Sequence, residues 1–115
     1  MEKENIQNKS FHFAVRIVNL CKLLKTERNE FTLSSQLLRS GTSIGANISE
    51  AQEAQSRADF VSKLNIALKE ARETEYWLRL LEATEYLSAV EFHSIIADCE
   101  ELIKILVTSV RSAKQ

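Results

Sequence analysis

The stretch RSGTSIGANISEA, Arg39 to Ala51, holds both glycines of the chain, Gly41 and Gly45, among hydroxyl side chains and one arginine. Those residue types are the ones a phosphate cradle uses. Glycines let backbone N–H groups converge on the anion, and a cation neutralises it. A cradle also needs the glycines in a non-helical turn between a strand and a helix. Here Leu33, Leu37, Gly41, Ile44, Ile48 and Ala51 recur at spacings of three and four without a gap, which is one face of a helix. Gly41 and Gly45 are four apart and share a face. Each costs about 1 kcal/mol of helix propensity against alanine, a cost that is tolerable where a neighbouring backbone must come close. The stretch reads as a tightly packed helix rather than a ligand loop.

Other chemistry-bearing residues lack a productive arrangement. A di-iron bundle needs Glu-x-x-His on two helices, and neither His12 nor His93 has that spacing. Cys21 and Cys99 have no metal or redox spacing and fall on apolar stripes, where buried thiols belong. The carboxylates of KEARETE, Lys69 to Glu75, and their surroundings form i,i+4 pairs such as Asp59–Lys63 and Glu75–Arg79, a solvated and salt-laced face. The Asn47 glycosylation pattern, NIS, means little inside a helix. These absences argue against an enzyme and imply no cofactor and no metal.

The elements that carry these residues follow from composition. The chain has 115 residues, no proline and two glycines, so it should be one domain, 1–115, that is nearly all helix. Its formal net charge of −1 creates no global field for nucleic acid. No apolar run approaches the roughly 20 residues of a membrane span, and the polar opening MEKENIQNKS lacks a signal-peptide core. A cytoplasmic protein is expected. Four helices are predicted: α1 over about 10–28, α2 over 33–54, α3 over 57–84 and α4 over 89–112. Phe11, Ala14, Val18, Cys21 and Leu24 mark the α1 stripe, and Thr32 is placed to cap α2. Ser56 opens α3 with Asp59 in the capping position. Ser88 and Glu91 form a full capping box for α4. In α4, Phe92, Ile96, Cys99, Ile103, Leu106 and Val110 alternate by four and three, a heptad seam. Short connections make the expected fold an all-α, antiparallel up-down-up-down four-helix bundle.

Two features exceed what a lone bundle needs. Apolar residues are in surplus: from Val90 to Val110, twelve of twenty-one are apolar, where about three in seven cover one core face. Ile95, Leu102 and Ile105 lie off the α4 seam, Ile66, Trp77 and Leu80 off that of α3, and Phe13, Leu20 and Leu23 widen α1. Such faces point to an oligomer interface or to a wide core. Charge is also segregated. Lys9, Arg16, Lys22, Lys25 and Arg28 gather on α1, and Glu91, Asp98, Glu100 and Glu101 on α4. The α1 cations are the candidate nucleic-acid contacts, and pairing with α4 is the alternative.

The segments SQLLRSGTSIGANISEA and FVSKLNIALKEARETE, with the EYLS turn before α4, resemble the four-helix-bundle proteins encoded in intervening sequences of bacterial 23S ribosomal RNA genes. The resemblance covers nearly the whole chain after about Phe11, with several motifs in order across three helices. One departure is Gly45, where many relatives have proline. The resemblance implies a homopentameric ring with no enzymatic activity. It also implies kinship with the accessory protein of diversity-generating retroelements, and hence RNA or DNA and a reverse transcriptase as partners. A protein-interaction scaffold without nucleic acid is the alternative. By motif position, Asn47 and Glu50 are expected to hydrogen-bond across helices. If the heptad seam of α4 is core, Ile103→Asp should cost several kcal/mol against a typical domain stability of about 5–15 kcal/mol. Loss of the helical circular-dichroism signal at room temperature is the expected result.

Overall fold

The computed structural model describes residues 5–115; the first four residues of the expected domain lie outside it. Four α-helices follow in order: α1 Ile6–Arg28, α2 Thr32–Ala51, α3 Arg57–Ala83 and α4 Ala89–Ala113. No strand occurs among the described residues. Each helix packs on its neighbours in sequence, and α4 returns to α1, closing an up-down-up-down bundle. Its extents are 44 × 31 × 21 Å, and the long axis matches the roughly 40 Å of a 27-residue helix.

Local chemistry explains the helix ends. α1 begins four residues before the expected start because the Asn5 side chain accepts the Asn8 N–H at 2.9 Å. It ends at Asn29, whose left-handed backbone, φ 53°, lets the cap N–H reach the Leu24 carbonyl. Thr32 does not cap α2, although it is the first helical residue. The cap comes from Glu30, whose carboxylate accepts the Ser34 N–H at 2.8 Å while the Ser34 hydroxyl donates to the Glu30 carbonyl at 2.8 Å. α2 stops at Ala51 rather than 54, where three-residue hydrogen bonds from Gln52, Glu53 and Ala54 tighten the last turn. Ser56 caps α3 through the Asp59 N–H. The capping box of α4 is complete, with Glu91 N–H to Ser88 Oγ at 3.1 Å and Ser88 N–H to Glu91 Oε1 at 2.9 Å.

The core takes the α4 seam whole: Phe92, Ile96, Cys99, Ile103, Leu106 and Val110 are all buried. It also takes Ile95 and Leu102, so these two serve the protomer's own core and not a neighbour. Ile105 is half-buried. The bundle is wide enough that α4 buries more than one narrow stripe. On α1 the register differs from the expectation. Ser10, Phe13, Ile17, Cys21 and Leu24 face inward, while Phe11 is 67% exposed and Ala14 and Val18 are half-buried. α1 is apolar on two faces with the same spacing, and its neighbours select between them.

The selection is made by α2. A Cβ on Gly41 would lie 2.8 Å from Ile17 Cγ2, and one on Gly45 would lie 3.4 Å from the Ser10 carbonyl oxygen. Both glycines have ordinary negative φ, so they are there for space and not for a turn. α2 runs through Gly45 as one continuous helix. Between α2 and α3 a polar pair is fully buried: Thr74 Oγ1 lies 2.9 Å from Ser40 Oγ and donates to the Glu70 carbonyl at 2.8 Å. No buried side-chain polar atom among the described residues lacks a partner. Gly41→Leu should destabilise the bundle although leucine is the better helix former. Overpacking costs about 1–3 kcal/mol against a propensity gain of roughly 1 kcal/mol, and Ile17 is β-branched and stiff. A urea titration should show a lower midpoint; a higher one would mean that α1 and α2 do not approach this closely.

Candidate functional site: the charged and apolar faces of α1

The five cations of α1 do not form one free patch, because α4 supplies carboxylates opposite three of them. Lys9 Nζ lies 3.1 Å from Glu101 Oε1. Arg16 donates to Asp98 at 2.5 Å and to the carbonyl and hydroxyl of Ser94 at 3.3 and 2.8 Å. Arg28 grips both oxygens of Glu91 at 3.0 and 2.7 Å and reaches the Tyr86 carbonyl at 2.7 Å. The expected basic face is therefore largely a helix-to-helix seam. Lys22 and Lys25 make no ion pair with a described residue.

The Arg28–Glu91 contact has the clearest electrostatic consequence. The bidentate hydrogen bond from Arg28, helped by the Ser88 N–H, lowers the Glu91 carboxyl from 4.5 to about 2. The same bond raises Arg28. The two thiols move the other way. Burial pushes Cys21 up to about 11, partly opposed by Lys25, and Cys99 up to about 12, with help from Glu75 and Glu100. Each sulfur donates to a backbone carbonyl, Cys21 to Ser34 and Cys99 to Ala71. Protonated and enclosed at neutral pH, neither is poised as a nucleophile. Among the described residues, no three His, Cys, Asp or Glu side chains converge as metal ligands, and no helix is long and apolar enough to cross a membrane.

The expected structural and interface residues scatter. Asn47 does not bridge helices; its amide donates to the Ser43 carbonyl of its own helix at 2.9 Å. At i,i+4 that carbonyl is the nearest acceptor the helix offers. Glu50 does cross, to Lys63 of α3 at 3.4 Å. Trp77 is half-buried, and its indole N–H is satisfied by Glu73 at 2.9 Å. Glu73 in turn pairs with Arg39, which also holds Glu70 at 3.1 Å. No spacing within one helix announces that α2/α3 cluster, because its partners come from two helices.

The face of α1 that the core leaves out carries Phe11, 67% exposed, and Val15, 45% exposed. Positions 11, 15, 18, 22 and 25 alternate by four and three, so Phe11, Val15, Val18, Lys22 and Lys25 share one side of the helix. A groove of about 520 Å³ runs beside it between α1 and α2, lined by Phe11, Ala14, Thr42, Gly45, Ala46 and Ser49 among others. The heptad spacing of these positions is visible in the sequence. It overlaps the stripe through Phe11, Ala14 and Val18, so periodicity alone does not separate the two.

Comparisons with known proteins bear on this arrangement. A family model described as 23S rRNA-intervening sequence protein matches residues 2–108. Among solved structures, the chain is similar to a protein of unknown function of the S23 ribosomal protein family from Bacteroides thetaiotaomicron. The two are 59% identical, the match covers 92% of this chain and 98% of that one, and the TM-score is 0.91. A search of curated proteins finds no match.

The depressed Glu91 carboxyl sets a pH dependence. A folded-state value below the unfolded one contributes stability that is present above about 4.5 and lost as pH falls toward about 2. Both partners are about a third exposed, so surface-pair magnitudes apply, roughly 0.2–1 kcal/mol. Glu91→Gln should lower stability at neutral pH by that order. Between pH 4.5 and 2 it should lose less stability than the native chain. Urea midpoints across that range test it, and parallel curves would show that Glu91 is not coupled to folding.

Proposed function

The chain belongs to the 23S rRNA-intervening sequence protein family, and from that membership we propose that it is a non-enzymatic, self-assembling interaction module that works in the cytoplasm. The observation that carries this reading is the second apolar face of α1. Phe11 and Val15 stand exposed on a helix whose other faces are already occupied by the core and by α4. Large exposed side chains aligned on one face are what a subunit contact uses. The apolar surplus expected on α4 supports this less, since Ile95 and Leu102 are spent within the protomer. A closed ring, five copies by the family resemblance, repeats the face without growing filaments. In this reading the ring serves as a scaffold for a protein partner, and a nucleic-acid enzyme such as a reverse transcriptase belongs to that class.

A second reading has its own observation. Lys22 and Lys25 lie on the same face as Phe11 and Val15 and are not neutralised by α4. A ring would repeat these two lysines around its circumference and give weak, sequence-independent RNA or DNA binding, with avidity gains of about 10²–10⁴ over one site. Lys9, Arg16 and Arg28 contribute less to it than their number implies, because each already holds a carboxylate.

Light scattering should give a mass near five protomers for the native chain. Phe11→Asp should reduce that mass while changing stability by no more than about 0.5 kcal/mol, the usual range for a surface site. A monomeric native chain would remove the proposal. Nucleic-acid binding in a salt series should vanish for Lys22→Gln with Lys25→Gln and persist for Lys9→Gln. Absence of binding even at low salt leaves the protein scaffold.

A further inference from the structure

Two sides of the bundle carry exposed large apolar residues along their length, and the two meet along α2. The first is the α1/α2 side, where Phe11 borders a groove floored by Ala14, Gly45 and Ala46, and Val15 lies one turn on. No carboxylate lines that groove. The second is the α2/α3 side. Positions 66, 70, 73, 77 and 80 recur by three and four, so Ile66, Glu70, Glu73, Trp77 and Leu80 share one flank of α3. The ion pairs of Glu70 and Glu73 with Arg39 turn that flank toward α2. Ile66 is 40% exposed, and Tyr76 stands beside the flank, 58% exposed, with its ring edge-on to Trp77 at 5.1 Å. Tyrosine and tryptophan are the side chains that protein contacts favour at their centre. Val90 and Phe31, also exposed, sit on the first turn of α4 and just before α2, at helix ends.

We propose that these two sides are the unlike halves of one contact: the α1/α2 side of one copy receives the α2/α3 side of the next, with Ile66 and Tyr76 of the second copy against Phe11, Val15 and Val18 of the first. The contact rests on the self-assembly proposed above and names the surface that meets the α1 face. Charge, height and angle each select a second copy of the chain as the occupant. Lys22 and Lys25 on the first side have no ion pair. On the second, Arg39 is shared by two carboxylates, so that cluster keeps a negative charge. Gly41 lies against Ile17 while its neighbour Ser40 reaches Thr74, so Ile17 and Thr74 stand level across α2. α1 and α3 are alternate members of an up-down bundle and run the same way. Val18 is therefore level with Tyr76, and Phe11 with Ile66, each to within a helical turn of about 5.4 Å. Rotation about an axis parallel to the bundle keeps every residue at its own height and brings these pairs together. Adjacent sides of a four-helix bundle face about 90° apart, and contacts made through such sides close after about four or five copies, whereas opposite sides would grow a filament. α2, common to both sides, lies at the inner corner of the ring.

Mixing two variants tests the contact. Phe11→Asp spoils the α1/α2 side and leaves the α2/α3 side intact; Tyr76→Asp does the reverse. Each alone should scatter light as one protomer across a concentration series, with the helical circular dichroism of the native chain. Mixed in equal amounts, they should form a species of two protomers, because one intact contact remains between unlike variants and none between like ones. Ile66→Asp, on the same flank as Trp77, replaces Tyr76→Asp if the latter disturbs the helix signal. A native assembly whose mass survives both α3 substitutions overturns this contact and leaves self-assembly through α1 standing. A mixture that stays at one protomer overturns it as well, since the two sides then do not meet each other. A native chain that is itself a monomer removes the self-assembly along with the contact.

Discussion

The close approach of α1 and α2 at Gly41 and Gly45 is the constraint on which the rest of the bundle depends. Ile17 occupies the space that a Cβ on Gly41 would need, and the Ser10 backbone lies against Gly45. With those two contacts set, the rotation of α1 about its own axis is no longer free. Phe13, Ile17, Cys21 and Leu24 must point inward, Lys9 and Arg16 must point toward α4, and Phe11 and Val15 must point out. Core, seam and exposed face are three consequences of one packing decision. The helix-propensity cost of two glycines, about 1 kcal/mol each, is small beside the apolar surface they allow α1 to bury.

The α1/α4 boundary shows how the same decision disposes of charge. Cations on one helix and carboxylates on the next look, helix by helix, like a basic surface and an acidic one. Side by side, three of the five α1 cations meet α4 carboxylates. The energetic return of such half-exposed pairs is modest. They lie at the surface beside core residues Phe13, Ile95 and Leu102, which are buried. For function, this shifts weight from a general cationic face to the narrower surface where Phe11, Val15, Lys22 and Lys25 stand together.

Much of the fold was legible because its signals are local. The Ser88–Glu91 capping box and the four-three alternation from Phe92 to Val110 each need only one helix to be read, and α4 follows them. Ser56 before α3 is the same kind of signal. The candidate site was less legible. Glu30 caps α2 from outside it, with a buried side chain that resembles an ordinary loop glutamate in the sequence. The Thr74–Ser40 contact joins residues 34 positions apart. Arg39 reaches Glu70 and Glu73 over similar distances in sequence.

By itself the sequence determined that there are four helices, where most of them start and stop, and that a proline-free chain with two glycines on one helix face requires a close helix pair. It also determined which side chains are available for chemistry. Only the tertiary structure decided which of two equally spaced apolar stripes on α1 is core, that Ile95 and Leu102 belong to the protomer, and that three of the five α1 cations are matched by α4. The physical reason is that periodicity specifies the faces a helix has. Which neighbour each face meets is set by the rotation of one helix against another, and that rotation is fixed by contacts between residues far apart in the chain.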